Sequence, residues 1–165
     1  MKNTNKKSTF SVRHLTTAAI IAALYVVFTG ISAMLGLASG VIQVRLSEAL
    51  TVLPFFTPAA VPGVTVGCFL ANLLTGAPLP DVIFGTLATF LGVLGASLLR
   101  KHKYLIAIPT ILSNALIIPL VLQYAYGVPD AFWYLMLTVG AGEVISAGIL
   151  GGLLLYILQK RKLFF

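Results

Sequence analysis

The stretch ALTVLPFFTPAAVPGVTVGCFLANLLTGAPLP, residues 49–80, decides how this chain folds. It holds 32 residues without a charge and contains five prolines. A membrane helix needs about 20 apolar residues, so the stretch is long enough for one tilted span or for two short ones. Proline removes a backbone donor and restricts the residue before it. Pro58 therefore favours a break between Phe55 and Pro62, and the flanking charges decide whether the break separates two helices.

Basic residues flank the apolar runs in three clusters. Cytoplasmic loops collect Lys and Arg, so all three clusters are expected on the inner side of a membrane. An even number of crossings must then separate Arg13 from Arg100, and only two helices within residues 49–80 give an even number. The clusters hold ten of the eleven Lys and Arg residues and are Lys2/Lys6/Lys7/Arg13, Arg100/Lys101/Lys103 and Lys160/Arg161/Lys162.

The other apolar runs complete the predicted fold. They cover residues 15–37, 82–99, 104–123 and 131–158. We predict an all-α integral membrane protein with six transmembrane helices and both termini in the cytoplasm, in which helices two and three are short. Residues 1–165 form a single transmembrane domain, and residues 1–13 form its basic cytoplasmic tail. Short helices persist at membrane depth only where neighbours or a cavity shield their ends.

Composition excludes several other classes of protein. Hydrophobic residues make up 59% of the chain and charged residues 9%, whereas soluble domains carry about 25% charged residues. The net charge of +7 does not indicate nucleic acid, because the basic residues lie between apolar runs. A single cysteine, Cys68, excludes a disulfide framework and a cysteine-rich metal site, and we predict no metal.

Motifs for catalysis and for nucleotide binding are absent from the sequence. It has no G-x-x-x-x-G-K-[ST] phosphate loop, no H-E-x-x-H and no G-x-S-x-G. An intramembrane hydrolase would need a nucleophile with a base within reach, and both histidines lie in the basic flanks. We therefore predict a protein that is not an enzyme, with no catalytic residues. Active import by such a chain would draw on an ion gradient or a partner ATPase.

Polar residues inside the apolar runs mark a candidate binding site, because ionisable groups at membrane depth usually face a cavity or a partner. Arg45 and Glu48 form either a structural ion pair or a ligand clamp. Asp81 is either a helix N-cap or a ligand contact, and Asn72 bonds either a neighbouring helix or a ligand. The candidate substrate-binding residues are Gln43, Arg45, Glu48, Asn72, Asp81 and Glu143.

Small residues follow one face of the first helix at steps of three and four. Such stripes allow close helix packing in lipid. The stripe indicates either packing inside this protein or docking to a partner subunit. Its members are Ala18, Ala22, Tyr25, Thr29, Ser32 and Gly36, with Ala19 and Ala23 beside it.

Four segments resemble the QueT family, whose members are substrate-binding S-components of energy-coupling-factor (ECF) transporters linked to queuosine precursors. The segments are IQVRLSEAL (42–50), LPFFTPAAVPG (53–63), GCFLAN (67–72) and DVIFGTLAT (81–89). The resemblance covers nearly the whole chain and is densest from Gln43 to Thr89. It implies a six-helix subunit of a bacterial cell membrane that binds its solute at the outer side.

The resemblance also implies partners and a ligand. S-components dock onto a transmembrane scaffold subunit with two ATPase subunits, which hydrolyse the ATP, so no cofactor is expected in this chain. Helix one carries an Ala-x-x-x-Ala patch for docking, which Ala18/Ala22 and Ala19/Ala23 match. The implied ligand is 7-cyano- or 7-aminomethyl-7-deazaguanine, whose guanine edge suits Glu48 first and Glu143 second.

Other functions remain open at this stage. One is an ion-coupled carrier of a small solute, with Glu143 as its coupling site. Another is an S-component for a different vitamin-like molecule. A third is a membrane-embedded enzyme that acts on a lipid or a peptide and depends on one of the acids.

Overall fold

A computed structural model of the protein describes residues 12–37 and 42–161. Within these ranges the regular secondary structure is helical, in six segments that confirm the predicted number of helices. Most of the basic tail, residues 1–11, lies outside the described residues. In chain order the segments are α1 (Val12–Met34), a 3₁₀ helix (Leu46–Phe55), α2 (Ala60–Leu74), α3 (Leu79–Leu98), α4 (Ile108–Ala125) and α5 (Phe132–Arg161).

Four of these helices, α1, α3, α4 and α5, are long and apolar enough to cross a membrane. The second and third segments are short, as predicted, with 10 and 15 residues. The break between them covers residues 56–59, inside the predicted interval between Phe55 and Pro62. The number of membrane crossings and the location of the termini stay predictions.

The 3₁₀ helix lies at the centre of the bundle. Residues 47–54 are all buried, and the helix packs against α1, α2, α3 and α5. Ten residues of 3₁₀ helix extend about 20 Å, which is less than the roughly 30 Å of a hydrocarbon core. Because four helices surround the segment, its backbone is shielded from lipid, as a short helix at membrane depth requires.

Glycines of α2 bring this helix close to α1. A Cβ atom on Gly63 would lie 2.8 Å from the carbonyl oxygen of Ala18, and one on Gly67 would lie 3.0 Å from the Cα of Ala22. The stripe on α1 is therefore used in part for packing inside the chain. Ala22 is buried and Ala18 is half-buried, whereas Ala19 and Ala23 are exposed.

Two of the helix starts that differ from the predicted ones place a proline in the first turn, where a missing N–H has no helical partner to lose. The third α-helix begins at Leu79 rather than at residue 82, with Pro80 in its first turn. The fourth begins at Ile108 rather than at residue 104, with Pro109 in its first turn, and turns fill residues 101–107.

The helices give the bundle two chemically different ends. The end of α1, the connection between α2 and α3, and the end of α4 surround one cavity, and we call this the pocket end. The start of α1, the loop between α3 and α4, and the end of α5 lie at the opposite end. We call this the basic end, because it carries Arg13, Arg100, Lys101, Lys103, Lys160 and Arg161.

Candidate functional site

Residues 43–45 form an extended segment that leads into the 3₁₀ helix and lies against α5. The backbone of Gln43 passes very close to Gly142. A Cβ atom on Gly142 would overlap the carbonyl oxygen of Gln43. The backbone N–H of Arg45 donates a hydrogen bond to Ser146 Oγ at 3.1 Å. Just after Glu143 the helix is π-helical, from Val144 to Leu150, and single π turns occur often at functional sites.

Residues 46–48, which follow this segment in the 3₁₀ helix, are bonded to α1. The Tyr25 hydroxyl donates to Glu48 Oε1. The hydroxyls of Thr29 and Ser47 are hydrogen-bonded at 2.9 Å, and the N–H of Leu46 donates to the hydroxyl of Ser32 at 2.9 Å. Residues 45–48 are thus fixed between two helices that are far apart in sequence.

A cavity of about 260 Å³ opens at the pocket end. Its polar side chains include a cation, an amide, a carboxylate and a phenol, supplied by Arg45, Asn72, Asp81 and Tyr126. Thr29 and Ser32 contribute from α1. Ligand sites are concave and carry placed polar groups, and this cavity, whose lining residues are mostly polar, has the size of a small heterocycle.

Asp81 lies inside this cavity and is not a helix N-cap, which corrects one of the two interpretations of its role. The cap position is Pro78, and Asp81 is the third residue of the helix. Its Oδ2 accepts a hydrogen bond from the Tyr126 hydroxyl at 2.7 Å. Partial burial and this bond raise the pKa of Tyr126 to about 12, so the phenol stays a donor at neutral pH.

A second, smaller cavity of about 10 Å³ lies beside the first. Its polar lining consists of Gln43, Arg45, Asn114 and Glu143. The Asn114 side chain lies near both Glu48 and Glu143. The space fits about one water molecule. Arg45 lines both cavities, so its side chain lies at the boundary between them.

Three acids in this region are buried and incompletely bonded. Glu48, Asp81 and Glu143 are 1%, 3% and 7% exposed. Each has one carboxylate oxygen that is buried without a hydrogen-bond partner. Buried polar atoms are bonded in the great majority of cases, so each exception requires an explanation. The fourth acid, Asp130, is exposed.

Acidic groups outnumber basic groups in the cluster. Arg45 is attracted electrostatically to Asp81 and Glu48, and it is the cation that lines the two cavities. Glu48 accepts a close hydrogen bond from the Tyr25 hydroxyl and interacts electrostatically with Arg45 at longer range. Three carboxyl groups thus surround one guanidinium group. Such an arrangement favours a ligand with several N–H donors or a positive charge.

The structure brings all six predicted binding residues into one region. Asn72 and Asp81 line the pocket, Gln43 and Glu143 line the inner cavity, Arg45 lines both, and Glu48 lies beneath them. The sequence did not identify the supporting residues Tyr25, Tyr126 and Ser146. For Tyr25, Thr29 and Ser32 a signal existed, since their hydroxyls recur on one face of an apolar helix, a pattern that also indicates hydrogen bonding across helices. Within the described residues no group of three or more metal-ligating side chains is found.

Comparison with known proteins identifies relatives of this chain. The family described as QueT transporter matches residues 15–160. A queuosine precursor transporter QueT from Lactococcus lactis subsp. cremoris (strain MG1363) is 39% identical over 90 residues, which are 54% of this chain and 53% of that protein. The match therefore spans about half of that relative's length. No solved structure matches the chain.

Proposed function

This chain belongs to the QueT transporter family, and from that premise we propose that it captures a queuosine precursor for import. The family and four helices long enough to span make it a multi-pass membrane protein, and its relative is bacterial. The observation that carries the proposal is the set of three buried carboxylates, each with an unpartnered oxygen, around the pocket and the inner cavity. A ligand rich in N–H donors would satisfy those oxygens.

The pocket opens to the outside of the cell in this proposal. Lys and Arg are retained on the cytoplasmic side of membrane proteins, which puts the basic end inside and the pocket end outside. Arg45 is the exception among the basic residues, and it lies in the candidate site rather than in a flank. A pocket that opens on the outer side suits capture of a scarce solute.

A 7-deazaguanine matches the chemistry of the cluster. Its N1–H and exocyclic amine are adjacent donors that one carboxylate accepts in a charge-assisted pair. Its carbonyl oxygen needs a donor, which Gln43, Arg45 or Asn72 supplies. We assign the guanine edge to Glu48, with Glu143 as the second choice, and this requires the Arg45 side chain to move aside on binding. The remaining acids favour the cationic aminomethyl form over the neutral cyano form.

We propose ECF-type partners as the source of energy. The chain contains no phosphate loop. In this proposal two partner ATPase subunits bind and hydrolyse the ATP, and a transmembrane scaffold subunit connects them to this chain. Ala19 and Ala23 are the docking residues that remain available, because they are exposed on α1. Ala18 and Ala22 contribute by letting α1 and α2 pack closely.

Calorimetric titration of the detergent-purified protein tests the ligand. We expect tight binding of 7-aminomethyl-7-deazaguanine, weaker binding of the 7-cyano form and of guanine, which present the same edge without the positive charge, and no binding of riboflavin. Tight binding of riboflavin instead would show an S-component for another molecule. If folded protein binds none of them and moves solute into liposomes without ATP, an ion-coupled carrier with Glu143 as coupling site replaces the proposal.

The docking face is tested by adding bulk to exposed alanines. Ala19→Leu and Ala23→Leu are expected to abolish co-purification with the scaffold and ATPase subunits, because close helix contact needs small side chains. Ligand affinity should stay within about twofold of the unsubstituted protein, since both residues point away from the pocket.

Gly152→Leu is the matched control for this docking prediction. Gly152 is an exposed glycine of α5 with open space around it, so added bulk there tests only the effect of a larger lipid-facing side chain. Complex formation that survives both alanine substitutions would rule out this face.

A further inference from the structure

Three residues of α1 form a ladder of hydrogen bonds to the segment that carries Arg45 and Glu48. Tyr25, Thr29 and Ser32 are spaced by four and three residues and so lie on one face of the helix. Their partners are Glu48, Ser47 and Leu46, in that order. The two strips run in opposite directions, and successive residues of the segment meet successive turns of α1.

The ladder is buried except at Thr29, which is half-buried beside the pocket. Tyr25 is 1% exposed, and Ser32 and Ser47 are fully buried. The hydroxyl of Ser32 donates to the carbonyl oxygen of Phe28 while it accepts the N–H of Leu46. Both capacities of that hydroxyl are therefore used, and it fixes the first residue of the 3₁₀ helix. In a low-dielectric interior such bonds specify one arrangement, because any other leaves buried groups unpaired.

The bond from Tyr25 also decides which oxygen of Glu48 is free. The Tyr25 hydroxyl occupies Oε1, and Oε2 is buried without a partner. The carboxylate is thereby oriented before any ligand arrives. On the other side, Ser146 accepts the N–H of Arg45. Glu48 is thus oriented from α1, and the backbone at Arg45 is fixed between α1 and α5.

We propose that this ladder positions Glu48 and Arg45 for the ligand and ties their location to that of α1, an inference that rests on the proposed function. Tyr25 is a positioning residue that acts through Glu48 rather than on the ligand, whereas Thr29 and Ser32 hold the segment and also line the pocket. The same helix presents Ala19 and Ala23 on its exposed side. A displacement of α1 by a docked partner would move the acid that holds the ligand.

The test compares Tyr25→Phe and Thr29→Val with Thr16→Val, each of which removes one hydroxyl from α1. Thr16 is exposed and bonds only the carbonyl of Val12 in its own helix. We expect Tyr25→Phe to lower the affinity for 7-aminomethyl-7-deazaguanine about tenfold and Thr29→Val several-fold, with no change for Thr16→Val. In a Glu48→Gln background the loss from Tyr25→Phe should largely disappear, because the orientation of a lost carboxylate no longer matters. A purely structural role predicts the same loss in both backgrounds.

Hydrogen exchange separates failure of this inference from failure of the proposed function. Without ligand, both ladder variants should accelerate exchange in residues 42–48 and leave α3 and α4 unchanged. If the unsubstituted protein binds no deazaguanine, the proposed ligand is wrong and the exchange result alone judges the ladder. Unchanged exchange in residues 42–48, or unchanged affinity in a protein that does bind, would overturn the positioning role.

Discussion

Glu48→Gln is expected to weaken the binding of 7-aminomethyl-7-deazaguanine about 100-fold and to leave the melting temperature almost unchanged. Hydrogen bonds to a charged group are worth about 1.5–3 kcal/mol each, and 100-fold corresponds to about 2.7 kcal/mol. The amide oxygen of the variant can still accept from Tyr25. Its NH₂ group then occupies the position of Oε2, which is unpartnered in the structure, and faces the N–H donors of the ligand.

Asp130→Asn is the matched control for this prediction, since it neutralises the one acid that lies exposed outside the cluster. Calorimetry should give the same affinity for that variant as for the unsubstituted protein. Glu143→Gln supplies the discriminating comparison. If Glu143→Gln lowers the affinity strongly and Glu48→Gln does not, our assignment of the guanine edge to Glu48 is wrong.

The number of helices could be predicted because two independent constraints agreed. Prolines in residues 49–80 limited where a helix could break, and the sign of the flanking charges required an even number of segments before Arg100. The type of the second helix could not be predicted. Residues 47–54 are uniformly buried, so they show no periodicity that would distinguish a 3₁₀ helix from an α-helix.

The sequence could select six candidate residues that lie in one region because polar groups are rare in this chain, and a rare polar group at membrane depth requires a partner. Their arrangement could not be predicted, since it depends on contacts between distant residues. Tyr126 meets Asp81 across 45 positions and Arg45 meets Ser146 across 101. The role of Asp81 was ambiguous for a related reason, because an acid near a helix start is equally typical of a cap.

The alanines of α1 show a further limit of prediction from the sequence. A stripe of small residues indicates close packing but does not identify the neighbour. The structure gives Ala18 and Ala22 a neighbour within the chain, at Gly63 and Gly67. The predicted docking surface of α1 is therefore divided into two faces. Only the exposed pair, Ala19 and Ala23, remains available for an external partner.

Gly142→Ala is expected to abolish measurable ligand binding and to lower the melting temperature of the purified protein. A Cβ atom at this position would overlap the backbone carbonyl oxygen of Gln43. Because the neighbour is backbone, the clash cannot be relieved by rotating a side chain, and the whole extended segment must shift. Overpacking of this kind costs about 1–3 kcal/mol or more. The shift would displace Gln43, Arg45 and Glu48 together, so binding should suffer more than stability does.

Gly140→Ala, two residues earlier on the same helix, is the control that isolates this contact. A Cβ atom there would meet only the Cβ of Ala115, at an ordinary 3.6 Å. Alanine is the better helix former by about 1 kcal/mol, so propensity alone predicts that both substitutions stabilise the helix. We therefore expect Gly140→Ala to keep the ligand affinity and to maintain or raise the melting temperature, whereas Gly142→Ala lowers both. Equal affinities for Gly140→Ala and Gly142→Ala would mean that contact between residues 43–45 and α5 does not hold the binding segment in place.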